Sequence, residues 1–282
     1  MIFMKHLFSI FIFFSVILSA LPQADAFSFG KKKAEVLLSE QPLDEVTPGF
    51  ERKIFPALDK KGKPLTYFWF QPSPPYPENL KFPLVLVLHD ATGKANAGKS
   101  LVSPAMQTAF PAFVVVPALP ATSVWANPKP IVMDDGKLLG GVAYEALHDA
   151  VNLIKTLPSQ YPIDTKRIYV VGCAEGGMGA FGAALHYPDV FAAAVPISGA
   201  WSPEDSPKMT KTPIWAFHGA KDDVMPSYLT KDMVNLIHEY GGPIFYTEYP
   251  VMKHDCAYNE LYAPQMWEWI FKQQRQASAQ SQ

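Results

Sequence analysis

Six apolar runs, at residues 83–88, 113–116, 168–171, 191–197, 214–217 and 244–246, restrict the fold of this chain more than any other feature. A strand buried on one face alternates apolar and polar residues, whereas an unbroken run marks a strand covered on both faces, as in a parallel sheet. Helical patterns lie between several of the runs. Ala143, Ala146, Leu147, Ala150, Val151 and Ile154 follow i, i+3, i+4 spacing until Pro158, and residues 229–240 repeat the pattern until Gly241-Gly242. Strand, helix and strand in succession make a crossover that brings the strands together in parallel. Upstream, residues 50–58 and 65–71 form strand patterns across the turn Asp59-Lys60-Lys61-Gly62, an antiparallel start closed by the proline-rich 72–77. The expected fold is α/β: an open, mostly parallel sheet with antiparallel N-terminal strands, helices on both faces, and ligands beyond the carboxyl ends of the strands.

No charge run or Gly/Ser linker divides residues 49–272, which are expected to form one domain. Ahead of it, Lys5, the apolar stretch 7–21 and the small-residue site Ala24-Asp25-Ala26 have the layout of a signal peptide over 1–26, so export to the periplasm or beyond is expected. A retained membrane anchor is the alternative, although the stretch is short against the roughly 20 residues of a span. Without a cysteine near the cleavage site, lipid attachment is not expected. Residues 27–48, with Lys31-Lys32-Lys33, read as a leader, and the polar 273–282 as a disordered tail. The net charge of −2 comes from well-mixed residues, giving no electrostatic footprint for nucleic acid or an anionic membrane. A small-molecule or polymer ligand is the expected partner, with no cofactor and no metal.

Chemistry concentrates at Gly172-Cys173-Ala174-Glu175-Gly176, which follows the third apolar run. Glycines two before and two after an apex let a strand turn sharply into a helix, presenting the apex residue above the sheet. The stretch from Arg167 to Gly179 resembles the strand-elbow-helix segment of secreted esterases and predicted peptidases of the α/β-hydrolase superfamily, similar to dienelactone hydrolases and polyester depolymerases. The resemblance extends to Leu88-His89, residues 187–196, His218-Gly219-Ala220-Lys221-Asp222-Asp223, and the segment from Tyr249-Pro250 to His254-Asp255. It implies a nucleophile at Ala174, an acid at Asp222 and a histidine at His254, in the superfamily's chain order. Alanine has no hydroxyl, so the nucleophile position is degenerate. Asp223 competes with Asp222 for the acid, while His89 and His218, at strand ends, read as structural.

The resemblance also implies two backbone N–H donors for an oxyanion, one from Glu175 and one from the loop Asp90-Ala91-Thr92-Gly93. Asp90 stands where the family has glycine, and a carboxylate near a developing oxyanion raises its energy. Cys173 is not a ready substitute nucleophile, because taking it as apex puts Val171 and Glu175 at the glycine positions. Ser198, among turn residues after the next strand, is a weaker candidate still. Cys173 is either a small core residue or half of a disulfide with Cys256, the one other cysteine, and the sequence leaves both open. Trp125 and Trp201, in loops, either line a cleft or pack beneath the loops.

Residues Gly93-Lys94-Ala95-Asn96-Ala97-Gly98-Lys99-Ser100 match the phosphate-loop pattern G-x-x-x-x-G-K-[ST]. A working loop starts a long helix at the Gly-Lys pair, and Pro104 interrupts any such helix, so nucleotide binding is not expected. Two functional readings follow. One is an exported pseudoenzyme that binds a small molecule or polymer. The other is an active carboxylic-ester or peptide hydrolase using another nucleophile or a His254-activated water.

Overall fold

The computed structural model describes residues 49–56, 64–119, 123–126, 131–132, 138–139 and 146–275. The expected signal peptide, leader, 59–62 turn, the start of the helix pattern at Ala143 and the tail past 275 lie outside the described residues. Eight strands form one sheet: β1 (Glu51–Phe55), β2 (Leu65–Phe70), β3 (Phe82–Leu88), β4 (Phe113–Pro117), β7 (Ile163–Cys173), β8 (Ala193–Ile197), β9 (Ile214–Gly219) and β10 (Ile244–Tyr249), in the order β1-β2-β4-β3-β7-β8-β9-β10. The pairs β1/β2 and β2/β4 are antiparallel, and every later pair is parallel. Two short strands, β5 (Ile131–Val132) and β6 (Leu138–Leu139), pair apart from it.

All seven residues of β3 are buried because both sheet faces are covered. Leu84, Leu86 and Leu88 join one apolar layer, and Val85 and Val87 the other. The first layer packs under α3 (Leu147–Thr156), α4 (Glu175–His186) and α5 (Ser227–Glu239). The second packs under α1 (Asn96–Leu101) and α6 (Pro264–Lys272), where Trp267 and Ile270 are fully buried. Fully burying one such Leu or Ile side chain contributes about 1.5–3 kcal/mol, so the two layers dominate the stability of the fold.

Several boundaries differ from expectation for local reasons. β7 starts five residues before the apolar run, because Asp164-Thr165-Lys166-Arg167 is polar strand without hydrophobic signal. The sequence reading gives no helix at 264–272, a nine-residue segment too short to show clear periodicity. Residues 273–275 belong to the packed body, since the Tyr169 hydroxyl donates to the Gln273 carbonyl and the Arg275 N–H to that of Lys166. The phosphate-loop pattern folds as α1, six residues long, followed after Ser103 by α2 (Pro104–Ala109). Gly98-Lys99 therefore lies inside α1 rather than at the start of a long helix, and the N-terminal geometry that holds phosphates is not formed. Among the described residues no helix is long and apolar enough to cross a membrane.

Candidate active site

The strand β7 and the helix α4 meet at Ala174, whose φ of 54° and ψ of −116° place it in left-handed backbone that L-residues rarely adopt. Gly172 and Gly176 make this turn possible. A Cβ on Gly172 would stand 2.0 Å from the Gly176 carbonyl oxygen, and one on Gly176 would stand 2.0 Å from that of Leu88. The Ala174 N–H donates to the Ile197 carbonyl at 2.9 Å, fixing the apex over the end of β8. The chain thus builds a strained elbow and mounts a methyl group on it.

Asp222 and His254 come together at the carboxyl end of the sheet, on the segments following β9 and β10. His254 Nδ1 lies 2.8 Å from Asp222 Oδ2, leaving Nε2 as the nitrogen for proton exchange. Asp222 Oδ1 accepts the N–H groups of Val224 and Met225, and His218 Nε2 stands 3.1 Å from Oδ2. Burial opposes ionisation of this carboxyl, but the hydrogen bonds from His218, His254 and Met225 outweigh it and hold Asp222 well below the usual carboxylate range. For His254, burial favours the neutral ring, and the bond to and charge of Asp222, with the charges of Glu175 and Asp90, overcome it. The imidazole is raised above its ordinary pKa. Such a pair orients an imidazole and stabilises its protonated form. Asp223 is not hydrogen-bonded to either histidine in this arrangement.

His89 and His218 are buried and serve the site from below. The His89 Nδ1–H donates to the Asp90 carbonyl, Nε2 accepts the Leu119 N–H, and burial holds the ring below its ordinary pKa. Asp90 turns inward, its Oδ1 accepting the Thr92 N–H, the Thr92 hydroxyl and the Lys94 N–H at 2.8, 2.6 and 3.0 Å. This carboxylate folds its own loop through Oδ1, and its charge still acts on His254. The acid that crosses to this loop is Glu175, whose Oε2 accepts the Ala91 N–H at 2.9 Å, while burial pushes its carboxyl above the ordinary pKa despite that bond. The resemblance implies only a backbone role for Glu175. The missed signal was a carboxylate directly after the apex, where the helix start leaves N–H groups without partners.

Cys173 and Cys256 form a disulfide with Cα atoms 5.8 Å apart. It links the residue before the apex to the loop two residues past His254, and the Cys256 carbonyl accepts bonds from Asn96 Nδ2 and the Tyr262 hydroxyl. A thiolate nucleophile at Cys173 is thereby excluded in the oxidised chain. Ser198 is fully buried, its hydroxyl without a hydrogen-bond partner among the described residues. Trp125 and Trp201 are core residues, not cleft walls: their ring N–H groups donate to the His89 carbonyl and to Asp205 Oδ2. Among the described residues no group of three or more His, Cys, Asp or Glu side chains is placed to hold a metal ion.

An antiparallel start, a six-strand parallel run and a strained strand-to-helix apex facing a histidine loop define an α/β-hydrolase fold. The chain belongs to the dienelactone hydrolase family, whose model matches residues 73–273. Among solved structures, a thermostable esterase is 27% identical with a TM-score of 0.70, covering 80% of this chain and 64% of its own, so the chain spans less than two thirds of that esterase. A putative dienelactone hydrolase from Klebsiella pneumoniae subsp. pneumoniae is 16% identical with a TM-score of 0.57, covering 78% and 95%. A ferulic acid esterase from Anaeromyces mucronatus is 14% identical with a TM-score of 0.56, covering 79% and 90%. At such identity the last two speak for the fold alone. No match was found among curated protein sequences.

Proposed function

We propose that this chain is an exported pseudoenzyme of esterase or peptidase lineage, which binds a small-molecule or polymer ligand over the carboxyl ends of its strands and does not form an acyl-enzyme. The methyl group of Ala174 at the apex carries this reading. Acyl transfer needs an oxygen or sulfur lone pair there to attack the carbonyl carbon, with a neighbouring base to take its proton, and a methyl group supplies neither. Asp222 and His254 are read as the surviving acid and base of the lineage. The Cys173–Cys256 bond supports export, because such bonds persist in oxidising compartments.

The hydrogen-bonded pair of Asp222 and His254 favours a second reading, hydrolysis by a His254-activated water. Removing one triad member from an active enzyme leaves roughly 10³–10⁴-fold catalysis over water, supplied by the oxyanion site and substrate binding. Here the Ala91 donor is already engaged by Glu175, which weighs against that residue of activity. The test is to incubate the oxidised protein with short aryl esters, feruloyl esters and blocked peptides, measuring both thermal stabilisation and the fraction recovered intact. The expected result is a stabilising compound recovered uncleaved. Stabilisation by no member together with steady cleavage of one would overturn the reading.

A further inference from the structure

Glu175 begins α4, where an acidic side chain is ordinarily explained by the positive end of the helix dipole. That explanation accounts for a bond to its own turn. It does not account for the reach across the site to the Ala91 N–H, 84 residues away in sequence on the loop after β3. That loop is rigidly held: His89 bonds the Asp90 carbonyl, Asp90 Oδ1 takes three bonds within the loop, and the Gly93 N–H returns to the Asp90 carbonyl. The Ala91 N–H is therefore a fixed donor facing the apex from one side, and the Glu175 N–H faces it from the other. In a working site these two donors would converge on the oxygen of a tetrahedral intermediate.

We propose that the Glu175 carboxyl group is a built-in occupant of the oxyanion site, engaging the Ala91 N–H that a substrate's oxyanion would need. The proposal rests on the pseudoenzyme reading and adds a second, independent block to it. Restoring the nucleophile alone then leaves the site closed. An ester carbonyl must then compete with a tethered carboxyl group already bonded to the Ala91 N–H at 2.9 Å. The site opens only when the side chain at 175 is removed or swings out.

The experiment compares Ala174→Ser, Glu175→Ala and the Ala174→Ser/Glu175→Ala double variant with the native chain, each first shown to unfold cooperatively with its disulfide intact. Hydrolysis of p-nitrophenyl acetate is expected to stay near the buffer rate for both single variants. It should rise at least about 10²-fold above Ala174→Ser in the double variant, the range lost when an oxyanion donor is removed. Hydrogen exchange at the Ala91 amide supplies a readout free of chemistry, and is expected to quicken at least about tenfold on Glu175→Ala alone as its acceptor is lost. An Ala174→Ser protein as active as the double variant would overturn the plug while leaving Ala174 as the cause of inactivity. So would a double variant that stays at the buffer rate, or an Ala91 amide whose exchange ignores Glu175→Ala. Failure of the pseudoenzyme reading shows elsewhere, as His254-dependent turnover by the native chain.

Discussion

Removing the Cys173–Cys256 bond perturbs stability and site geometry together, and its size follows from the chain. The bridge closes a loop with a sequence separation of 83. In the chain-entropy treatment, closing a loop of that length lowers the entropy of the unfolded chain enough to stabilise the native state by about 4.5 kcal/mol at 25 °C. For a domain of this size each 1 kcal/mol moves Tm by about 2–4 °C, so reduction should lower Tm by about 9–18 °C. Urea unfolding of oxidised and reduced protein measures the difference without changing any side chain, and Cys173→Ala/Cys256→Ala repeats it without reductant. Both sulfur positions are buried, so the native protein should resist alkylation until it is reduced or unfolded. A difference under about 1 kcal/mol, or two thiols alkylated in the native protein, would refute the reasoning, because the chain-entropy treatment gives several times that value for a loop this long.

Three further outcomes follow from the site. Ala174→Gly should stabilise the protein by about 1 kcal/mol in urea unfolding, since relief of a strained positive φ exceeds the added entropy of a glycine. Asp222→Ala leaves His254 and two N–H groups without their acceptor, while His218 keeps the Met225 carbonyl, and should cost about 3–5 kcal/mol by the same assay. His254 should titrate above an ordinary histidine by NMR, and fall back toward it in Asp222→Asn. Its folded pKa is raised, so the stability it adds is complete below the unfolded value of about 6.5 and is lost as pH rises through the folded value. Asp222 acts with the opposite sign: its folded pKa is depressed, so its contribution is present above about 3.9 and is lost in acid.

The fold was legible because its signal is written in the core. Apolar runs such as 83–88 are continuous when both faces of a strand are covered, and the glycines at 172 and 176 are dictated by carbonyl oxygens that admit no Cβ. The positions of Ala174, Asp222 and His254 came instead from the resemblance to the superfamily's motifs and chain order, and the fold brings Asp222 and His254 within 2.8 Å of each other. What the sequence hid was direction. Asp90 and Glu175 are both carboxylates near one loop, and only the folded backbone shows that Asp90 turns into its own turn while Glu175 crosses to Ala91. The burial of Trp125 and Trp201 was equally invisible, because loop residues show no periodicity against which a core position stands out. Pairing of Cys173 with Cys256 needed a distance, 5.8 Å between Cα atoms, that spacing along a chain does not supply.

Hydrolysis of short-chain aryl esters by the native, oxidised chain, measured beside His254→Ala, bears most directly on whether an elbow capped by a methyl group has left catalysis behind. Both proteins should match the buffer rate, with no burst of released phenol, because neither can form an acyl-enzyme at residue 174. Sustained turnover by the native chain that disappears in His254→Ala would contradict the pseudoenzyme assignment and establish a hydrolase that works through another nucleophile or an activated water.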